Sequence, residues 1–299
     1  MSDVFLKEQS YGKDGVRLVK VIRTDNWHEI VELTVRVLLE GNFNAAYTKA
    51  DNSLVVATDT MKNTIYILAK QSSNVQRIEA FAVEIGQHFI STYSHVSKAH
   101  IWISKYKWTR MLVNGKLHDH SFLRDGEETR NTKVIVSRKK DVVVEIESGL
   151  KDLLVLKTTG SAFYGFLRDK YTTLPETDDR ILSTSIDATW NYYIPNISLI
   201  SQIPFDDIFG SIRQIILDTF STDNSASVQA TLYLMAKLAL EKFQQISSIH
   251  FELPNKHYFA YDLNRFGLKN TGKDTDIYYP ISDPSGLITA TVARTKSKL

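Results

Sequence analysis

Alternating apolar and polar residues predict that the chain opens with two β-strands. The segments "VRLVKVIRT" and "EIVELTVRVLLEG" alternate β-branched or apolar residues with charged ones, which is typical of amphipathic strands with one buried face. Helical spacing replaces this alternation in "MKNTIYILAK" and "VQRIEAFAVEIGQHFISTY". We therefore expect a hairpin, a short strand "SLVVATDT", two helices, and then the strands "HIWISKYKWTRM" and "TKVIVSRKK".

The second part of the chain repeats this order of elements. Two strand patterns, "VVVEIESGLKDLLVLKTT" and "ILSTSIDATWNYYI", precede two helix patterns, "FDDIFGSIRQIILDTF" and "SVQATLYLMAKLALEKF", and two more strand patterns, "SIHFELPNKHYFAYDL" and "LITATVART". The pattern predicts an α+β protein made of two antiparallel domains in tandem, residues 1–140 and 141–299, joined near residues 135–145. Helix-capping chemistry alone could also produce the similar wording "ATDTMKNTIYILAK" and "STDNSASVQATLYLMAKL".

Composition narrows the class of protein. The 299 residues are 43% hydrophobic and 23% charged, with a formal net charge of +2 and no cysteine. This balance is typical of a globular protein of about two domains and gives no electrostatic reason to expect nucleic-acid binding. Neither a bilayer-spanning apolar run nor a secretory N-terminal pattern is recognisable. We expect an intracellular protein without disulfides or thiolate metal sites.

The last three residues, Ser297, Lys298 and Leu299, match a receptor-read peroxisomal address. An unremarkable basic tail is the alternative interpretation. The address predicts oxidative metabolism as the setting.

A polar pair interrupts an otherwise apolar strand face in "FELPNKHYFAYDL". Alternation places Asn255 and His257 on the same face as Phe251, Phe259 and Tyr261. Two readings remain open from the residues alone. Asn255 and His257 could be polar side chains hydrogen-bonded to core partners, or they could be functional groups.

The segment "TTGSAFYGFLRDKYTTLPETDDRILST" combines aromatic residues, turn residues and a cation. Alternation predicts that Arg180 heads the following strand on its apolar side. A guanidinium held there needs an acceptor, which could be Asp178 or Asp179, or an anionic ligand gripped by two parallel hydrogen bonds.

Gln229 falls in the predicted first turn of the helix that opens "SASVQATLYLM". Free backbone N–H groups and the positive end of the helix dipole favour anions at such a position. Lys13, Thr58 and Asp59 are weaker candidates, since a lysine beside glycine is ordinarily a surface charge and Thr58 or Asp59 is ordinarily an N-cap.

The sequence contains no GxGxxG, GxxxxGKS or HExxH motif. His118 and His120 in "KLHDHSF" would share a face of an extended segment, with Asp119 between them, and are the one candidate pair for a metal. No third ligand is evident, so we expect no metal site.

Six stretches together carry a family resemblance: "YGKDGVRLVKV", "VVATDTMKNTIY", "VLKTTGSAFYGFLRDKYTTLPETDDRILST", "SVQATLYLM", "LPNKHYF" and the Ser-Lys-Leu terminus. In this order they resemble the urate oxidases (uricases), a cofactor-free family of the tunnelling fold. The resemblance covers nearly the whole chain. It implies two tandem tunnelling-fold domains, with antiparallel sheets and helices packed on one face, assembled into a tunnel-shaped barrel. Differences at Thr60, Met61 and Tyr164 affect none of the residues to which the resemblance gives a chemical role.

The resemblance also implies individual roles. Phe163 resembles the ring that stacks on urate, and Arg180 and Gln229 resemble two arms that grip opposite edges of the purine. Asn255, together with Thr58, is similar to the family's site for dioxygen or water. The implied proton relay consists of Lys13, Thr58 and His257. The further implied substrate contacts are Thr58, Asp59, Leu174, Ser227, Val228 and Asn255.

The implied reaction is oxidation of urate by dioxygen and water to 5-hydroxyisourate and hydrogen peroxide, with dioxygen as co-substrate and no cofactor. The resemblance further implies a homotetramer in which Lys13, Thr58 and Asp59 come from the subunit neighbouring the one that supplies Phe163, Arg180 and Gln229. No nucleic acid or membrane partner is implied. The expected location is the peroxisome, through its import receptor, or the cytoplasm in a host without peroxisomes.

Two other functions remain open in the sequence. One is a metal-assisted purine or pterin hydrolase that uses His118 and His120. The other is a non-catalytic assembly that binds purines.

Overall fold

The fold was analysed in a computed structural model that describes residues 4–194, 196–281 and 283–295, without the side chain of Lys273. Ser297, Lys298 and Leu299, on which the peroxisomal prediction depends, lie outside the described residues.

Within the described part, the chain forms nine β-strands and five α-helices. The strands are β1 (Tyr11–Thr24), β2 (Trp27–Gly41), β3 (Val96–Val113), β4 (Lys116–Arg138), β5 (Val142–Lys157), β6 (Leu182–Tyr192), β7 (Ile246–Ala260), β8 (Tyr278–Ile281) and β9 (Leu287–Ala293). The helices are α1 (Asn44–Lys49), α2 (Thr58–Gln71), α3 (Ile78–Thr92), α4 (Phe205–Thr222) and α5 (Val228–Lys242). Short 3₁₀ turns occur at Ile197–Gln202, Asn264–Phe266 and Gly272–Asp274.

The sheet follows the chain order from β1 to β8, and β9 pairs with β7. The pairings of β1 with β2, β2 with β3, β3 with β4, and β7 with β8 and β9 are antiparallel. The protein is therefore a mixed α and β protein with a large antiparallel sheet and few helices, and this part of the predicted fold class is confirmed.

The β1–β2 hairpin confirms the first predicted element. Its strands pair from Thr24 with Trp27 back towards Tyr11 with Leu39, and the register shifts between Lys13 and Val16. Alternate residues of β2 are buried, as the alternation predicts. They are Val31, Leu33, Val35, Val37 and Leu39.

The β3–β4 hairpin is longer than the sequence pattern indicates. Its turn, Asn114–Gly115, has positive φ at both residues, 50° and 77°, which is the geometry that Asn-Gly favours in two-residue hairpins. β4 begins at Lys116, so it contains both His118 and His120. The predicted strand "TKVIVSRKK" is only its second part, because the preceding residues lack an apolar alternation.

Helices α2 and α3 contact the strands of the first hairpins, α2 against β1 and α3 against β3 and β4. The apolar stripe of α3 is buried, including Ile78, Phe81, Ile85 and Phe89. Gly86 lies in this stripe because a Cβ there would come within 2.4 Å of a methyl carbon of Val136. The helical spacing in the sequence thus identified the face that packs on the sheet.

One prediction of secondary structure is wrong. The segment "SLVVATDT" contains a turn and irregular backbone followed by the start of α2, and it contains no strand. Its Val56 instead pairs with the side chain of Tyr11, whose hydroxyl accepts from the Val56 N–H at 2.7 Å. This side-chain partner satisfies the backbone without a sheet neighbour.

The chain divides into two compact units. One comprises Met1–Leu150, Trp190–Phe209 and Gln245–Ser247, and the other comprises Lys151–Thr189, Gly210–Gln244 and Ser248–Leu299. The predicted boundary at 140/141 concerns the repeated order of elements, and it stays a prediction.

Candidate functional site

Arg180 and Phe163 lie side by side in the second unit. The guanidinium carbon of Arg180 is 5.1 Å from the centroid of the Phe163 ring, within cation–π distance. β6 begins at Leu182, so the prediction that Arg180 heads this strand is wrong by two residues. Arg180 is still an even number of positions from the buried residues Leu182 and Ile186, so it continues their alternation. The pair places an aromatic ring next to a cation.

Arg180 is half-buried, and its guanidinium pairs with no carboxylate of the described residues. Its Nε is buried without a hydrogen-bond partner among the described residues, and burial lowers the pKa of Arg180 from its usual value. The group nevertheless stays a cation at neutral pH. A buried charged donor without an acceptor costs free energy, so the arrangement favours an anionic ligand.

Asp179 does not neutralise Arg180, which corrects one of the alternatives from the sequence. Its carboxylate accepts hydrogen bonds from Thr159 Oγ1 at 2.6 Å and from the backbone N–H groups of Gly160 at 2.9 Å and Ser161 at 3.4 Å. The Thr159 bond is the main reason that the pKa of Asp179 is lowered. Asp178 forms no ion pair with Arg180 in the described chain either. The sequence pattern could not reveal the loop partners of Asp179.

The loop that carries Phe163 is joined to the segment before α5. The N–H of Ala162 donates to the carbonyl of Ser225 at 3.0 Å, and the N–H of Ser225 donates to the carbonyl of Gly160 at 3.0 Å. Phe163 itself pairs with Thr177 through two backbone hydrogen bonds of 2.8 and 3.0 Å. The backbone that carries the Phe163 ring is therefore hydrogen-bonded to two other segments.

Gln229 is the second residue of α5, as the sequence predicts. Ser227 is the N-cap residue with extended backbone, and its hydroxyl donates to Gln229 Oε1 at 2.9 Å instead of capping a backbone N–H. The first-turn N–H groups, including that of Val228, thus receive no side-chain cap. An exposed amide beside the positive end of a helix dipole suits the edge of an anion.

Leu174 lies in the loop between Phe163 and Arg180 and is 47% exposed. Its carbonyl accepts a hydrogen bond from Arg168 Nη1 at 3.0 Å. Its predicted role as an apolar wall stays a prediction.

Lys13, Thr58 and Asp59 belong to the first unit. Thr58 is the first residue of α2, whose N-cap is Ala57, so the alternative that Thr58 or Asp59 is the N-cap is wrong. Asp59 accepts from Lys62 Nζ at 2.6 Å. Its pKa is lowered mainly by Lys62, and the charge of Lys13 also contributes.

The strand β1 is tied to the start of α2 close to these residues. The hydroxyl of Tyr11, two residues before Lys13, is hydrogen-bonded to both the N–H and the carbonyl of Val56 at 2.7 and 3.2 Å. Val56 precedes Thr58 by two residues. These hydrogen bonds therefore join the two backbone segments that carry Lys13, Thr58 and Asp59.

Asn255 and His257 both lie in β7 and are both half-buried. The N–H of Asn255 donates to the carbonyl of Gly286 at 2.7 Å, and His257 pairs with Ile281 of β8. The ring centroids of His257 and Phe259 are 5.8 Å apart with a 21° interplanar angle, as expected for side chains on one face.

The apolar face predicted around this pair is only partly buried. Phe251 and Leu253 are buried, but Phe259 is 45% and Tyr261 is 38% exposed. β7 ends at Ala260, so Tyr261 and Leu263 follow the strand. The polar pair thus marks the point where the strand leaves the core.

His118 and His120 share a strand face, with ring centroids 4.6 Å apart. The N–H of His120 donates to His118 Nδ1 at 3.3 Å. In the described chain, no three His, Cys, Asp or Glu side chains are grouped in a way that could hold a metal ion. The same residues include no helix with the length and apolar character needed to cross a bilayer.

The second unit thus presents an aromatic ring, a guanidinium without a carboxylate partner among the described residues, and a helix N-terminus, which are the elements of a binding site for a flat anion. A family model described as Uricase matches residues 9–135 and 146–289. Among curated relatives, the uricase of Aspergillus flavus is 50% identical over 304 residues, with 98% of this chain and 99% of that protein covered. The uricase of Emericella nidulans is 48% identical, with 97% of each covered.

A crystal structure of uricase from Arthrobacter globiformis superposes with a TM-score of 0.88 at 38% identity, covering 99% of this chain and 96% of that chain. The matches define an oxidoreductase class. The chain belongs to the uricase (urate oxidase) family. The predicted family is confirmed, and the comparisons do not support the metal-assisted hydrolase alternative.

Proposed function

We propose that this chain is a urate oxidase that converts urate, dioxygen and water to 5-hydroxyisourate and hydrogen peroxide without a cofactor. Membership of the uricase family supports the reaction class. The observation that carries the proposal in this chain is the unpaired guanidinium of Arg180 beside the Phe163 ring.

Urate is a planar anion near neutral pH, and each predicted contact answers one of its features. The Phe163 ring supplies a stacking face. Arg180 supplies a cation able to form two parallel hydrogen bonds. Gln229 supplies an amide at the opposite edge, and the N–H of Val228 adds a donor at the start of α5. Leu174 and Ser227 complete the proposed pocket.

The oxidation needs proton removal from urate and a site for dioxygen and water. We assign the proton relay to Lys13, Thr58 and His257, since an amine, a hydroxyl and an imidazole can pass a proton along hydrogen bonds. Asn255 and Thr58 hold dioxygen or water above the purine. Urate supplies both electrons and dioxygen accepts them, so the equation balances without a further redox group.

The proposed assembly is a homotetramer of tandem tunnelling-fold domains, residues 1–140 and 141–299, that closes a tunnel. The order of elements supports the repeat, because two strands, two long helices and two strands occur from β1 to β4, and β5, β6, α4, α5, β7 and β9 repeat this order with the short strand β8 inserted. In this assembly, Lys13, Thr58 and Asp59 of one subunit complete the site of its neighbour. Sedimentation tests it, since an active monomer at low concentration would contradict a shared site.

The proposed location is the peroxisome, through recognition of Ser297, Lys298 and Leu299 by the import receptor. Fusion of a fluorescent protein to the N-terminus, with and without these three residues, tests this step in a host that has peroxisomes. Diffuse fluorescence of both fusions would contradict it.

The reaction is tested by mixing the protein with urate in air after exhaustive chelation. Loss of the urate absorbance band with oxygen uptake is expected. Loss of urate without oxygen uptake would contradict oxidation by dioxygen, and an intact band would support either a metal-dependent hydrolase or a purine-binding assembly.

A further inference from the structure

A short backbone segment, residues 159–162, connects the surroundings of Arg180 to those of Gln229. It directly precedes Phe163, and both of its sides are hydrogen-bonded within the second unit. One side is hydrogen-bonded to the carboxylate of Asp179, and the other is hydrogen-bonded to the backbone of Ser225. We call this segment the connecting loop.

The Asp179 side of the connecting loop is held by one carboxylate. Its donors are Thr159 Oγ1 and the backbone N–H groups of Gly160 and Ser161. The backbone N–H of Arg180 also contributes to lowering the pKa of this carboxyl. Since hydrogen bonds to an ionised carboxylate are stronger than neutral ones, this single group fixes the connecting loop beside the residue that directly precedes Arg180.

The Ser225 side is anchored as firmly. Two backbone hydrogen bonds of 3.0 Å join Ser225 to Gly160 and Ala162. The hydroxyl of Ser225 also accepts from Lys157 Nζ at 2.9 Å and from Thr231 Oγ1 at 2.8 Å. Ser225 is 1% exposed and precedes Gln229 by four residues. Hydrogen bonds therefore link Asp179, the residue before Arg180, through the connecting loop to Ser225, and the backbone leads from Ser225 to Gln229.

We propose that Asp179 is a positioning residue that fixes the spacing between Arg180 and Gln229 and thereby sets the affinity for a planar purine anion. This inference rests on the proposed function, because it takes both residues as arms of one purine clamp. Asp179 itself has its carboxylate occupied by the connecting loop, so it acts through Arg180 and not on the substrate.

Asp179→Asn is the direct test, and Asp178→Asn is its matched control. Asp178 is the neighbouring residue of the same type, is exposed, and makes none of the hydrogen bonds described for Asp179. The Kd for xanthine, a planar purine that lacks the 8-oxo group of urate, is measured alongside KM and kcat for urate. Asp179→Asn is expected to raise the Kd and KM at least about tenfold, the size of a lost hydrogen bond to a charged group, with a smaller change in kcat. Asp178→Asn is expected to match the parent.

A second pair of variants covers the case in which Asp179→Asn does not fold. Thr159→Val removes one donor to the carboxylate with little change in shape, and Thr159→Ser restores the hydroxyl. We expect a raised Kd for xanthine in the first and recovery in the second. Parental affinity in folded Asp179→Asn or in Thr159→Val overturns the proposal, as does an equal loss in Asp178→Asn. If the parent binds xanthine but consumes no urate, the proposed reaction fails, and the Kd comparison still decides the role of Asp179.

Discussion

The guanidinium carbon of Arg180 lies 5.1 Å from the centre of the Phe163 ring, although no carboxylate of the described chain pairs with it. Asp179, which follows Asp178 and directly precedes Arg180, directs its oxygens to the connecting loop instead. The cation is consequently held by the fold without being neutralised. This relationship leads to the first prediction.

Arg180→Gln should weaken binding of a purine anion. Loss of the charge and of the paired donors removes the strongest polar contact proposed for urate, so the Kd for xanthine should rise by roughly thirtyfold or more. The Kd of Arg180→Lys should lie between the values of the parent and of Arg180→Gln, because an ammonium keeps the charge and loses the planar fork. Arg23→Gln, at an exposed arginine in the other unit, is the control. Calorimetry that gives the parental Kd for Arg180→Gln would remove Arg180 from the clamp.

Lys13→Met and Thr58→Ala should lower the rate of reaction and leave binding largely intact. Removing a group that transfers a proton in the transition state reduces kcat by roughly a hundredfold or more, while Arg180, Phe163 and Gln229 are unchanged. Stopped-flow measurement of urate consumption gives kcat, and the xanthine Kd reports binding. Lys49→Met, at an exposed lysine of α1, should behave as the parent. Folded variants that turn over at the parental rate would show that the relay is wrongly assigned.

Arg130→Met should destabilise the fold. Arg130 pairs with Glu79 at 2.8 Å and with Asp206 at 2.5 Å, and Glu79 is fully buried. Removing the cation leaves a buried carboxylate uncompensated, which costs about 3–5 kcal/mol of unfolding free energy. The unfolding midpoint in urea, followed by circular dichroism, measures the change.

Lys237→Met provides the comparison for Arg130→Met. Lys237 and Glu241 are 3.8 Å apart and both exposed, so this variant should change the unfolding free energy by less than about 0.5 kcal/mol. Similar midpoints for the two variants would indicate that the Arg130 network contributes no more than a surface pair.

The stability difference between the parent and Asp179→Asn should depend on pH. The folded-state pKa of Asp179 is lowered, chiefly by the Thr159 hydrogen bond. A carboxyl with a lowered folded pKa stabilises the fold above its unfolded pKa, and this contribution disappears as pH falls through the folded value. Melting temperatures between pH 7 and pH 3 should therefore converge for these two proteins. A constant difference over this range would mean that the carboxylate charge is not what stabilises the connecting loop.

The spacing of hydrophobic residues and the turn residues were sufficient to predict most of the helices and strands. Val31 to Leu39 alternate because one face of β2 is buried, and Ile78 to Phe89 follow helical spacing because one stripe of α3 packs on the sheet. The strand β8 was missed because Tyr278–Ile281 is only four residues long and contains Pro280. The strand expected at "SLVVATDT" is absent, and the backbone of Val56 in this segment is hydrogen-bonded to the Tyr11 hydroxyl and not to a neighbouring strand.

The candidate site was less accessible to residue patterns alone. Alternation placed Asn255 and His257 on one face, and helix spacing placed Gln229 in the first turn of α5. Neither pattern distinguished a functional residue from a solvated one, and the family resemblance supplied the roles. The hydrogen bonds of Asp179 depend on contacts between residues about twenty positions apart in irregular backbone, for which no periodicity exists.

Simultaneous measurement of urate, dioxygen and hydrogen peroxide tests the central claim most directly. With chelator-treated protein and catalase-free buffer, the proposed reaction predicts that each urate consumed removes one dioxygen and releases one hydrogen peroxide. Consumption of urate with no accompanying oxygen uptake or peroxide, by protein that is folded and free of metal, would contradict it.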